Sequence, residues 1–159
     1  MANFIQGTQL RKLLLGTRVS KSTGTLAATT VDLFIIAGGE VLLTSLYGLV
    51  TTSITSANSY YLTVTPTNGD VTQLCVATDI GTVNTVAGGI LGFGADSTTA
   101  PPKIASPSGA SNISVSPLSY PPAVISTGKI QSVSAGTTGV ITWVVTYVPL
   151  TDGATLVSA

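Results

Sequence analysis

The sequence predicts an all-β protein, a β-sandwich or jelly-roll-like domain with an extended N-terminal arm. Three observations carry that expectation. Past residue 30, apolar residues alternate with a period of two and do not recur every three or four positions. Gly, Asn and Pro interrupt those runs at short intervals, as turns require. Charged residues make up only 8% of the 159 residues, where soluble domains average about 25%, and Ser and Thr supply the polarity instead.

Residues 1–30 read as the arm. The spacing of Leu10, Leu13 and Leu14 allows a short helix over residues 6–15, without firm caps. Strands are expected at 31–36 and 40–52, on either side of Ala37-Gly38-Gly39, a composition suited to a tight hairpin turn with positive φ. Tyr60, Leu62 and Val64 alternate with Tyr61, Thr63 and Thr65, which places Tyr60 inward and leaves Tyr61 half-exposed. Pro66-Thr67-Asn68-Gly69-Asp70 is a strong turn signal, after which 71–78 resumes as a strand.

Residues 79–128 change character. Gly81, Gly88, Gly89, Gly92 and Gly94 cluster there, and six of the eight prolines lie between Pro101 and Pro122. Proline removes ladder donors and glycine weakens strands, so a long irregular excursion with short strands at best is expected. Ile104, Ile113, Val115, Leu118, Tyr120, Val124 and Ile125 would be costly to leave wet, which favours contact with a neighbouring subunit. The final part is regular again, with strands at 129–134 and 139–148 around Ala135-Gly136-Thr137-Thr138. Ile141, Trp143, Val145 and Tyr147 share one face and should form a wall of the core. The domain itself therefore spans 31–159.

Net charge is zero but unevenly spread. Arg11, Lys12, Arg18 and Lys21 precede residue 22 with no acid among them, whereas two bases and six acids follow. A +4 arm before a −4 body reads either as docking on an acidic surface, with nucleic acid the less favoured partner, or as a frayed, solvated N-terminus that happens to be basic. Residues 31–50 are apolar overall, yet Asp32, Glu40 and Gly38-Gly39 interrupt them, so no membrane span is expected.

Chemistry is hard to place on this chain. Histidine is absent, which removes Ser-His and Cys-His pairs and the commonest metal ligand. The six acids are dispersed, no calcium-type loop appears, and Ser20-Lys21 is adjacent where Ser-Lys catalysis needs spacing. Gly88-Gly89 and Gly92-Phe93-Gly94 lack the lysine and the strand-to-helix context of a phosphate loop. Asn112-Ile113-Ser114 matches a glycosylation sequon by chance, since no secretory signal accompanies it. Cys75, between Leu74 and Val76, reads as a buried small hydrophobe with no basic neighbour to activate it. Neither catalysis nor a cofactor is expected.

The C-terminal run carries a resemblance. Pro121-Pro122, Gly128-Lys129-Ile130, then Gly139-Val140-Ile141-Thr142-Trp143-Val144-Val145-Thr146-Tyr147-Val148-Pro149-Leu150 and Asp152-Gly153-Ala154 resemble the endings of small head proteins of tailed bacteriophages. Asp32-Leu33-Phe34, Gly38-Gly39-Glu40-Val41-Leu42-Leu43-Thr44-Ser45-Leu46, residues 62–66 and Leu74-Cys75 resemble the same group. The likeness covers about two-thirds of the chain, and residues 79–128 depart from it. It implies a capsid decoration (cement) protein on the virion surface, bound to the major capsid protein and to copies of itself as a homotrimer. The basic arm or the 79–128 region would reach a neighbouring capsomer, so deleting residues 1–21 should abolish capsid binding. The alternatives are a minor tail or head-fibre protein, and a β-sandwich adhesin or carbohydrate-binding module, which would need an exposed aromatic cluster.

Overall fold

The period-two runs become strands of two packed antiparallel sheets. A computed structural model describes residues 7–82, 85–94, 103–105 and 123–159, including their side chains except at 8, 11, 13, 93, 94 and 103–105. One helix, α1 (Gly7–Leu15), precedes β1 (Thr17–Thr25), β2 (Thr30–Ala37), β3 (Val41–Thr52) and β4 (Ser59–Pro66). Five short strands follow: β5 (Thr72–Gln73), β6 (Thr78–Asp79), β7 (Ile90–Gly94), β8 (Lys103–Ala105) and β9 (Ala123–Ile125). The chain closes with β10 (Gly128–Ser134), β11 (Val140–Pro149) and β12 (Thr155–Ser158).

The first sheet runs β1-β11-β3-β7-β8, with β9 also on β3; the second runs β12-β2-β10-β4-β5, with β6 also on β4. The pairings nest from the outside of the chain inward. β1 meets β11, β2 meets β10, β3 meets β7 and β9, and β4 meets β5 and β6. That nesting, split over two sheets, is the connectivity of a jelly roll, with β12 added beside β2. The expected all-β sandwich is what the chain forms.

Side chains from both inner faces fill the core. Ile141, Trp143, Val145 and Tyr147 of β11 are all buried, facing Tyr60, Leu62, Phe34, Ile36 and Ile130 of the second sheet. The Trp143 and Tyr60 rings lie 6.1 Å apart and 7° from parallel. Trp143 Nε1 donates to the Tyr60 hydroxyl at 2.7 Å, so a buried polar pair bridges the sheets. Burial raises the Tyr60 phenol well above its ordinary pKa. Gly48 stands opposite Trp143 in the register. A Cβ there would meet the indole at 3.3 Å and an Ile141 methyl at 2.9 Å, so the missing side chain is the indole's room. Tyr61 is half-buried, as its alternation with Tyr60 predicts.

Three expectations change in detail. Gly38 and Gly39 do take positive φ, 78° and 140°, but they join no hairpin: β2 lies in one sheet and β3 in the other. The pair is an arch across the edge of the sandwich. It packs against a second arch, residues 150–154, where β11 crosses to β12. Leu150 N donates to Glu40 O at 2.9 Å, and Glu40 N to Thr151 Oγ1 at 3.2 Å. A Cβ on Gly38 would stand 2.5 Å from Gly153 O, so the arches approach as closely as main chain allows.

The strand expected over 71–78 breaks into β5 and β6, because Cys75 turns inward and its sulfur accepts the Leu62 N–H at 3.2 Å, in place of a main-chain carbonyl. The arm expected over 1–30 is extended at Thr17–Thr25 but not free. That stretch is β1, paired along β11 with Val19 packed on the core. In 79–128 the described parts are short strands; Asn112, Ile113, Val115, Leu118, Tyr120 and most of the prolines lie outside the described residues.

Tyr60→Phe should lower unfolding free energy by about 1–3 kcal/mol, because it takes the acceptor from a buried indole N–H. Gly38→Ala should cost a similar amount, about 1–3 kcal/mol, from positive φ, with the clash against Gly153 O added. Urea denaturation of both variants measures these losses.

Candidate interaction surface

The two outer faces of the sandwich differ in chemistry. On the second sheet, a polar row crosses three strands. Lys129 Nζ of β10 contacts Asp32 Oδ2 of β2 at 2.6 Å, Gln131 Nε2 donates to Asp32 Oδ1 at 2.6 Å, and Thr65 Oγ1 of β4 donates to Gln131 Oε1 at 2.5 Å. The hydrogen bonds from Lys129 and then Gln131 hold the Asp32 carboxyl below its ordinary pKa, against a small opposing effect of burial. An open groove of about 300 Å³ lies beside this row, lined by residues that include Ile35, Pro66, Thr67 and Lys129.

The first sheet faces outward with different residues. The register puts Arg18, Ser20 and Ser22 of β1 beside Thr146, Val144 and Thr142 of β11. Those in turn stand beside Ser45, Tyr47 and Leu49 of β3. Ile90 of β7 is opposite Leu49, and Val124 of β9 is opposite Leu42. Among the described side chains of this face, Arg18 is the one charged group. Leu49 and Val124 are exposed, while Val144 is covered.

Helix α1 lies against β11 at one end of this face. Gly16, with φ at 90°, ends the helix: its N–H donates to Lys12 O at 3.0 Å, and a Cβ would collide with Tyr147 O. Thr44 Oγ1 of β3 donates to Leu15 O at 2.9 Å, fixing the helix end over the sheet. Leu10 and Leu14, one helical turn apart, are 49% and 74% exposed, and Leu15 is 60% exposed. An apolar stripe thus extends from α1 beside a nearly charge-free face.

Of the four basic residues singled out from the sequence, the three whose side chains are described do not share one orientation. Lys12 is exposed on α1 and Arg18 is exposed on β1, both on the side of the first sheet. Lys21 turns inward from β1, and its ammonium donates to the main-chain oxygen of Ala159, tying the first sheet to the far end of β12. The Arg11 side chain lies outside the described residues. Sequence reasoning identified the Leu10/Leu14 spacing as helical but not as an exposed stripe. It also did not single out the outward residues of β3, whose partners are set by register alone.

Asp79 was read only as one of the dispersed acids, yet it organises a turn. Its carboxylate accepts from Asn58 N at 3.0 Å, Gly81 N at 2.9 Å, Thr82 N at 3.1 Å and the Thr82 hydroxyl. The Asp-x-Gly-Thr order was the available signal, since Asp side chains accept from main-chain N–H groups two or three residues on. Cys75 is buried, and burial pushes its thiol up to about 11. No group of three or more potential metal ligands occurs among the described residues. No helix is long and apolar enough to cross a membrane among them. The large exposed apolar side chains among the described residues are all aliphatic.

No protein-family model, curated protein or solved structure matches this chain.

The four donors on Asp79, led by the Thr82 hydroxyl, hold its carboxyl well below the ordinary value. A depressed folded pKa contributes stability above the unfolded pKa, about 3.9, and that contribution is lost as pH falls through the folded one. The protein should therefore lose stability on acidification below about pH 4. Asp79→Asn should flatten that limb, as thermal melts across an acid series would show.

Proposed function

We propose that this chain is a virion structural protein, a decoration or cement protein that covers the outside of a bacteriophage head. The observation that carries the reading is the contrast between the two outer faces. One carries the polar row of Asp32, Lys129 and Gln131 beside exposed Ile35 and Val157, and the other is a low-charge face continued by the α1 leucines. A diffusing protein would need both faces wet and charged. A lattice protein needs one wet face and one that seals against a shell.

The sealing face would be the outer face of the first sheet with α1. Leu14, Leu15, Leu49 and Val124 would supply the apolar contact, and Lys12 and Arg18 would meet an acidic rim on the major capsid protein. Copies of the chain would associate as a homotrimer, and repeated weak contacts would add by avidity to oppose the pressure of packaged DNA. Catalysis has no part in this reading.

Deleting residues 1–21 is a poor test, because it also removes half of β1 and the Lys21 tie. Substitution is cleaner. Leu14→Glu combined with Leu49→Glu should weaken binding to shells lacking the protein by tenfold or more, because each buried leucine contributes about 1.5–3 kcal/mol. Lys129→Gln, on the opposite face, should bind as the wild type does. Co-sedimentation with purified shells reads both. Equal binding by the double variant and the wild type would remove this docking face, and absence of the chain from purified particles would remove the function.

A further inference from the structure

We propose that Asn68 is a self-modification site, converted without an enzyme to aspartate and isoaspartate through attack by the main-chain nitrogen of Gly69. This stands apart from the virion reading and rests on the turn between β4 and β5. Asn68 and Gly69 are both exposed there. Neither the Asn68 side chain nor the Gly69 N–H has a hydrogen-bond partner among the described residues. Gly69 has φ at 120°, and the space where a Cβ would sit is open, its nearest neighbour being Pro66 Cγ at 3.5 Å. Nothing therefore hinders approach of the nitrogen to the Asn68 amide carbon, and glycine adds no side chain of its own.

The other described asparagine shows what protection looks like. Asn58 is 1% exposed. Its Oδ1 accepts from Ala135 N at 3.0 Å, Gly136 N at 2.8 Å and Ser134 Oγ at 3.1 Å, and its Nδ2 donates to Ser134 Oγ at 3.0 Å. That amide cannot rotate toward its own following nitrogen without abandoning buried partners. Ser59, which follows it, also carries a Cβ.

The step balances without an oxidant or cofactor. Solvent base removes the Gly69 amide proton, the nitrogen bonds to Asn68 Cγ, and the Cγ–Nδ2 bond breaks. Nδ2 takes up a proton and leaves as ammonia, which closes a five-membered imide. Water then opens either carbonyl of the ring, giving aspartate or its β-linked isomer. The turn, which carries Asp70, gains a second carboxylate. In the isomer it also gains one main-chain carbon, directly between β4 and the strand that pairs with it.

The full chain would be aged at neutral and mildly alkaline pH and followed by ion-exchange chromatography and peptide mass spectrometry. An acidic species should accumulate faster at higher pH, with the exchange of NH₂ for OH mapped to Asn68 and not to Asn58. Gly69→Ala crowds the nucleophile, and Asn68→Gln would require a larger ring. Each should slow the conversion on the order of tenfold, the factor given by about 1.4 kcal/mol of added barrier. An unaltered Asn68 after prolonged ageing would overturn the proposal. So would undiminished conversion at position 68 in Asn68→Gln, which needs no left-handed backbone change and leaves the turn intact.

Discussion

The contact between Trp143 and Tyr60 is the constraint around which the rest is arranged. It joins β11, the strand between β1 and β3, to β4, and places a large ring pair with a satisfied N–H in the middle of the core. An indole can be buried this way only if its donor finds an acceptor, and only if the neighbouring strand leaves room for it. Gly48 leaves that room. The long inward rows of β11, β2 and β10 then close around the pair, and the nested strand order follows from wrapping a two-ended chain about one core.

Much of this was legible in the residues because a strand reveals its faces through a period of two. The inward row of β11, the opposite fates of Tyr60 and Tyr61, and the burial of Cys75 all follow from alternation or size. What alternation does not encode is which sheet a strand joins. Gly38-Gly39 has the composition of a hairpin turn, and an arch between sheets demands the same positive φ. Only the second arch at Thr151 and Gly153, more than a hundred residues later, distinguishes the two. The basic cluster divides for a related reason. Arg18 and Lys21 are three apart, and a strand sends such residues to opposite sides, so charge proximity in sequence became separation in space.

The proposed docking face was harder still to foresee. Its residues come from β1, β11, β3, β7 and β9, and their adjacency exists only after the jelly roll has formed. The difference from the opposite face arises because the Asp32–Lys129 ion pair and Gln131 gather on one side, whereas Arg18 is the one charged group among the described side chains of the other.

Cys75 has a consequence for any setting where many copies sit close together. Its sulfur is held against the Leu62 amide inside the sandwich, and burial keeps it protonated at ordinary pH. Neighbouring copies therefore have no thiolate to offer one another. A crowded array of this chain would carry no disulfide between copies for as long as each sandwich stays folded.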